Sequence, residues 1–194
     1  MPGYRQEPSV DPHSLVPTFA IAKVFIDNWR WEGVPFYLRS GKRMAKKITE
    51  IAIRFKHVPN LMFRHALPES IQPNVLVLRI QPDERITLTF QAKLPGAKLC
   101  LQPVTMDFHY SSVQVGTFLD AYEKVILDSL LGDHTLFVRQ DGLEQCWAFL
   151  SPILDACEKC KDREQSLHFY KAGTWGPPEA DDLMKHEGCS WRVI

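Results

Sequence analysis

The sequence predicts an α+β domain: a large, mostly antiparallel sheet with helices packed on one face. Three observations carry that reading. From Thr18 to Tyr110, apolar residues recur mostly with the period of two that half-buried strands show. From Phe118 onward they recur at helical spacing. Between two alternating runs stands Gln81-Pro82-Asp83-Glu84, a turn signal that pairs them as a hairpin. Strands first and helices after is the order of an α+β chain.

Residues 1–17 are rich in Pro and polar side chains and read as an extended leading segment. The folded domain is expected over residues 18–194. Thr18–Asp27 suits a strand. Trp29, Trp31, Pro35 and Phe36 crowd together next and read as core packing around a turn. Residues 35–44 form a strand leading into a basic loop. Ile51, Ile53 and Phe55 alternate with Glu50, Ala52 and Arg54. Beyond a Pro-containing loop, Val75–Ile80 and Ile86–Gln91 are the hairpin strands. Val104–Tyr110 is a further strand. Phe118–Leu131 is a helix stopped by Gly132. Asp141–Cys160 is a second, which Pro152 kinks or splits. A third opens at Gly176-Pro177-Pro178, because Pro suits the first helical turn.

Composition narrows the function. The 194 residues are 45% hydrophobic and 24% charged, with 23 cationic and 23 anionic side chains. A neutral chain sets up no global field for nucleic acid or an anionic membrane. The basic segment also lacks interleaved aromatics, so no nucleic-acid partner is expected. The five cysteines are scattered and odd in number, which argues against a disulfide framework. Cys157 and Cys160 form a lone Cys-x-x-Cys without the second pair a zinc site needs, so no metal is expected. No apolar run is long enough to span a bilayer, and the start shows no signal pattern. No membrane partner and a cytoplasmic location are expected.

Several catalytic signatures are missing. There is no Gly-x-Gly-x-x-Gly, no Gly-x-Ser-x-Gly and no His-Glu-x-x-His. Ser40-Gly41-Lys42-Arg43 resembles a Walker A ending only superficially, because the earlier glycine is missing and Arg43 replaces Ser or Thr. Asp133-His134 reads as a loop histidine beside a capping aspartate. No residue is assigned a catalytic role. A nicotinamide cofactor, if used, needs another segment to bind it.

What the sequence does offer is a basic segment: Arg39, Lys42, Arg43, Lys46 and Lys47, five cations within nine residues. Such a cluster is either a solvated loop or a seat for a phosphorylated small molecule, since charge-assisted bonds are the stronger kind. Arg79 and Gln81 lie two apart at a strand end, on one face of the sheet. Gln81 both donates and accepts, as sugar hydroxyls require. Arg79 interrupts an apolar run, which calls for either an anionic ligand or an internal carboxylate.

Four blocks then bear on family: NWRWEGVPFYLRSGKRMAKKITEIAIRFK, VLRIQPDE, LDAYEKVILDSLLGD and AGTWGPPEADDLM. In this order they resemble the C-terminal domain of the glucose-6-phosphate dehydrogenases, from Gly3 to Trp191, and the last block is closer to bacterial members. The resemblance implies a role in NADP-dependent oxidation of glucose 6-phosphate to 6-phosphogluconolactone, in the pentose phosphate pathway. It implies that Lys42, Lys47 and Gln81 contact the substrate. It implies that a catalytic His–Asp pair and the dinucleotide loop belong to an N-terminal Rossmann domain absent from these residues, so that this chain alone is inactive. A homodimer through the sheet face is implied as well. Some members bind a second, structural NADP here; Arg39 and Arg79 match its contacts, but Ile48, Ala52 and Trp175 depart from them. The alternative is a stand-alone sugar-phosphate-binding or dimerisation module without catalytic activity.

Overall fold

The computed structural model describes residues 2–57, 71–96, 100–112, 120–192 and 194. They fall into two compact units, Met1–Ala45 with Gly116–Ser190, and Lys46–Val115 with Trp191–Ile194.

The first unit carries a two-stranded antiparallel ribbon, β1 (Phe19–Val24) and β2 (Phe36–Gly41), with Phe19 opposite Gly41 and Val24 opposite Phe36. Gly41 is needed there: a Cβ would lie 2.8 Å from the Phe19 ring and 3.0 Å from Met44 Sδ. Between the strands, Trp31 packs edge-on against Phe36, with ring centroids 5.3 Å apart. Trp29 corrects the core-packing expectation, because it is 99% exposed. Aromatics bury large area on average, but among the described residues of the unit nothing covers this indole.

Among the described residues this unit also carries the α-helices α1 (Ala121–Leu131), α2 (Gln140–Lys159) and α3 (Glu179–His186). Asp120 caps α1 in a capping box with Glu123, and Gly132 ends it at φ 71°. Phe118, where the periodicity places the helix start, lies outside the described residues. Pro152 sits inside α2, which runs through it unbroken. In α3 the first turn is acidic (Glu179, Asp181, Asp182) and the last basic (Lys185, His186), which complements the helix dipole.

The second unit is a four-stranded antiparallel meander: β3 (Thr49–Arg54), β4 (Val75–Gln81), β5 (Arg85–Lys93) and β6 (Leu101–His109). The register builds two apolar cross-strand rows, Ile51-Leu78-Ile86-Phe108 and Ile53-Leu76-Leu88-Met106. The alternate row Ala52-Val77-Thr87-Asp107 stands on the opposite face, and further rows there carry Thr89, Thr105, Arg85 and His109. The α+β class is therefore what the chain adopts, with its strands divided between a ribbon and a meander. No described helix is long and apolar enough to cross a membrane.

Candidate functional site: a basic turn and a bulged strand end

The basic segment leaves β2 at Gly41. Lys42 is fixed at both backbone groups: its N–H donates to Thr18 O at 2.8 Å, and its carbonyl accepts from the Tyr170 hydroxyl at 2.7 Å. Arg43 adopts φ 48°, the left-handed region that side chains other than glycine seldom enter. Its carbonyl accepts from Gly173 N–H at 2.8 Å, and Ala45 N–H donates to Thr174 O at 3.0 Å. The segment 170–174 thus holds the turn at three successive points.

The five cations divide by what surrounds them. Arg39 lies over the Trp175 ring, 5.1 Å from its centroid. Arg43 pairs with Glu7 at 2.8 Å. Lys46 donates to Ile194 O at 2.8 Å. Lys42 and Lys47 are exposed, and among the described residues neither ammonium has an ion pair or hydrogen bond. Lys42 belongs to the first unit, whereas Lys47 and Gln81 belong to the second.

In the second unit Lys47 lies two residues before Thr49, which pairs with Gln81. The register then slips, with Thr49 opposite Gln81 and Glu50 opposite Arg79, so Ile80 is the extra residue of a β-bulge. Gln81 Nε2 donates to Thr49 Oγ1 at 2.9 Å, leaving the amide oxygen open to accept. Arg79 takes the internal alternative. Its Nη2 is 3.6 Å from Glu50 Oε2, and Arg192 Nη1 bonds Glu50 Oε1 at 2.8 Å. The Glu50 side chain is 8% exposed, and its Oε2 has no hydrogen bond. Arg79 and Arg39, the two matches to a structural dinucleotide site, thus each contact a group of their own unit.

Elsewhere, Asp133 holds its own loop. Asp133 Oδ1 accepts from Thr135 Oγ1 at 2.6 Å and Thr135 N–H at 2.9 Å; these bonds hold its carboxyl below its ordinary pKa. It does not form a dyad with His134, which packs against Phe137. Cys157 and Cys160 are free and exposed, and no described group of His, Cys, Asp or Glu is arranged to hold a metal ion.

Comparison with known proteins decides the family. The family model for the C-terminal domain of glucose-6-phosphate dehydrogenase matches residues 1–192. The chain belongs to this family. It is 45% identical over 192 residues to the glucose-6-phosphate 1-dehydrogenase of Treponema pallidum, covering 98% of this chain and 37% of that protein. It is 44% identical to the enzyme of the same name from Aggregatibacter actinomycetemcomitans, again over 98% of this chain and 37% of the relative. A solved glucose-6-phosphate dehydrogenase, in complex with its substrate glucose 6-phosphate, superposes with a TM-score of 0.85 at 35% identity, covering 99% of this chain and 38% of that one. The Mycobacterium avium glucose-6-phosphate 1-dehydrogenase gives 0.79 at 33% identity, over 100% of this chain and 39% of that one. This glucose-6-phosphate dehydrogenase C-terminal domain therefore spans little more than a third of the length of the relatives it matches.

Two features of the site escape any sequence pattern. Tyr170 lies 128 residues from Lys42 along the chain, in a loop without periodicity. Glu50 was visible only as one residue of an alternating strand; its pairing with Arg79 follows from the bulged register.

Proposed function

We propose that this chain is the part of a glucose-6-phosphate dehydrogenase that completes the substrate pocket and pairs two subunits. Lys42, Lys47 and Gln81 contact glucose 6-phosphate. NADP is bound by a dinucleotide-binding portion outside these residues, and it accepts the hydride as the sugar phosphate is oxidised to its lactone. The observation that supports this reading is selective: of five clustered cations, the two left uncommitted, Lys42 and Lys47, are those at the positions of the family's substrate lysines. An ammonium without an internal partner is free to make a charge-assisted bond to an anionic sugar. Gln81 adds an amide oxygen fixed in direction by the bond from its nitrogen to Thr49. The two half-exposed apolar rows of the meander supply the pairing face, with Met106 61% exposed. The setting is cytoplasmic carbohydrate metabolism.

A graft tests the assignment. Placed in the Treponema pallidum dehydrogenase in place of its matching 37%, this chain is expected to sustain NADP reduction that depends on glucose 6-phosphate. The chain alone is expected to give none, because its sequence carries no Gly-x-Gly-x-x-Gly to hold the cofactor. A folded but inactive graft, or NADP reduction by the purified chain, overturns the proposal.

A further inference from the structure

The geometry points to Tyr170 as a positioning residue for Lys42, acting through the peptide backbone. The inference rests on the reading of Lys42 as a substrate lysine. A lysine side chain is long and rotamer-rich, so its ammonium is aimed only as well as its backbone is held.

A phenol has one proton to give. The Lys42 carbonyl, at 2.7 Å, is the nearest acceptor. The Thr18 carbonyl lies farther, at 3.2 Å, and already accepts from Lys42 N–H. Thr18 Oγ1, 3.4 Å away, is placed to donate to the phenol oxygen in turn. Thr18, Lys42 and Tyr170 thereby close a ring of hydrogen bonds through both backbone groups of Lys42. The Tyr170 ring rests on Phe19, with centroids 5.5 Å apart. Phe19 in turn fills the space beside Gly41 and Gly176, where a Cβ would sit within 2.8 Å and 2.4 Å of its ring. On the other side of Lys42, the left-handed Arg43 persists only because its surroundings over-determine it. Without the phenol hydroxyl, the Lys42 carbonyl loses its partner, and the turn keeps only the Lys42 N–H bond to Thr18 O and the bonds on the Arg43 side. The ring and its packing remain.

The test uses the complete dehydrogenase carrying this segment. Tyr170→Phe is expected to raise KM for glucose 6-phosphate about three- to tenfold, the effect of one neutral hydrogen bond, with kcat changed less than about twofold. Combined with Lys42→Ala, it is expected to add nothing further, since the ammonium it aims is gone. Combined with Lys47→Ala, the two effects are expected to multiply. Thr18→Val, which removes only the donor to the phenol, is expected to act in the same direction by about twofold and serves if Tyr170→Phe does not fold. An unchanged KM in folded Tyr170→Phe, while Lys42→Ala raises KM, overturns the positioning role and leaves the substrate lysine standing. So does a Tyr170→Phe effect that multiplies with Lys42→Ala as fully as with Lys47→Ala. An unchanged KM in Lys42→Ala removes the substrate lysine itself, and the positioning role with it.

Discussion

Lys42, Lys46 and Lys47 are chemically identical and differ only in what lies around them. Lys47→Ala in the complete dehydrogenase is expected to raise KM for glucose 6-phosphate about ten- to hundredfold, from losing one charge-assisted bond of roughly 1.5–3 kcal/mol. Lys42→Ala is expected to act similarly. Lys46→Ala, whose ammonium already bonds Ile194 O at 2.8 Å, is expected to leave KM unchanged. Steady-state kinetics at fixed NADP separates the three. The basic cluster was legible in the sequence because like charges that close demand partners. Which of them already has a partner was not, because Glu7 and Trp175 lie far along the chain. Arg79 makes the same point: an arginine in an apolar run announces that it has an anion, but only the strand register names Glu50.

At the scale of elements, the meander was the most legible part. Its strands alternate because the cross-strand rows segregate, Ile51-Leu78-Ile86-Phe108 on one face and Ala52-Val77-Thr87-Asp107 on the other. The Trp29–Phe36 cluster was less so, because aromatic content signals burial without saying what does the burying. The polar face makes a prediction about acid. The Thr87 hydroxyl, ahead of His109 and Arg85, holds the Asp107 carboxyl below its ordinary value of 3.8. A depressed carboxylate stabilises the fold at pH above the unfolded value and loses that contribution as pH falls through the folded one. Asp107→Asn is therefore expected to lower the Tm at pH 7 while flattening its decline below pH 3.8. Thermal melts across pH check this; an equally steep decline in the variant refutes it. Beside the ribbon, in the bend before α3, Gly176 sits at φ 113°, and a Cβ would lie 2.4 Å from Phe19 Cε2. Gly176→Ala is expected to cost about 2–4 kcal/mol, read as a fall in denaturation midpoint, because both backbone and packing object.

For the whole molecule, the proposal assigns assembly to the sheet face. The proposed pairing surface holds Ile51, Ile53, Met106 and Phe108, between 37% and 61% exposed. Met106→Glu places a charge where a second copy packs and is expected to raise the dimer Kd at least about tenfold, measured by analytical ultracentrifugation. A dimer of unchanged affinity rules this face out. Trp29 has a separate consequence. An indole this open emits at the red end of tryptophan fluorescence and is readily quenched by dissolved iodide. A surface that covered it in the complete dehydrogenase would shift that emission to the blue and shield it from the quencher. The difference between the unsubstituted protein and Trp29→Phe thus isolates a built-in optical reporter of any contact made at this position, with no label attached.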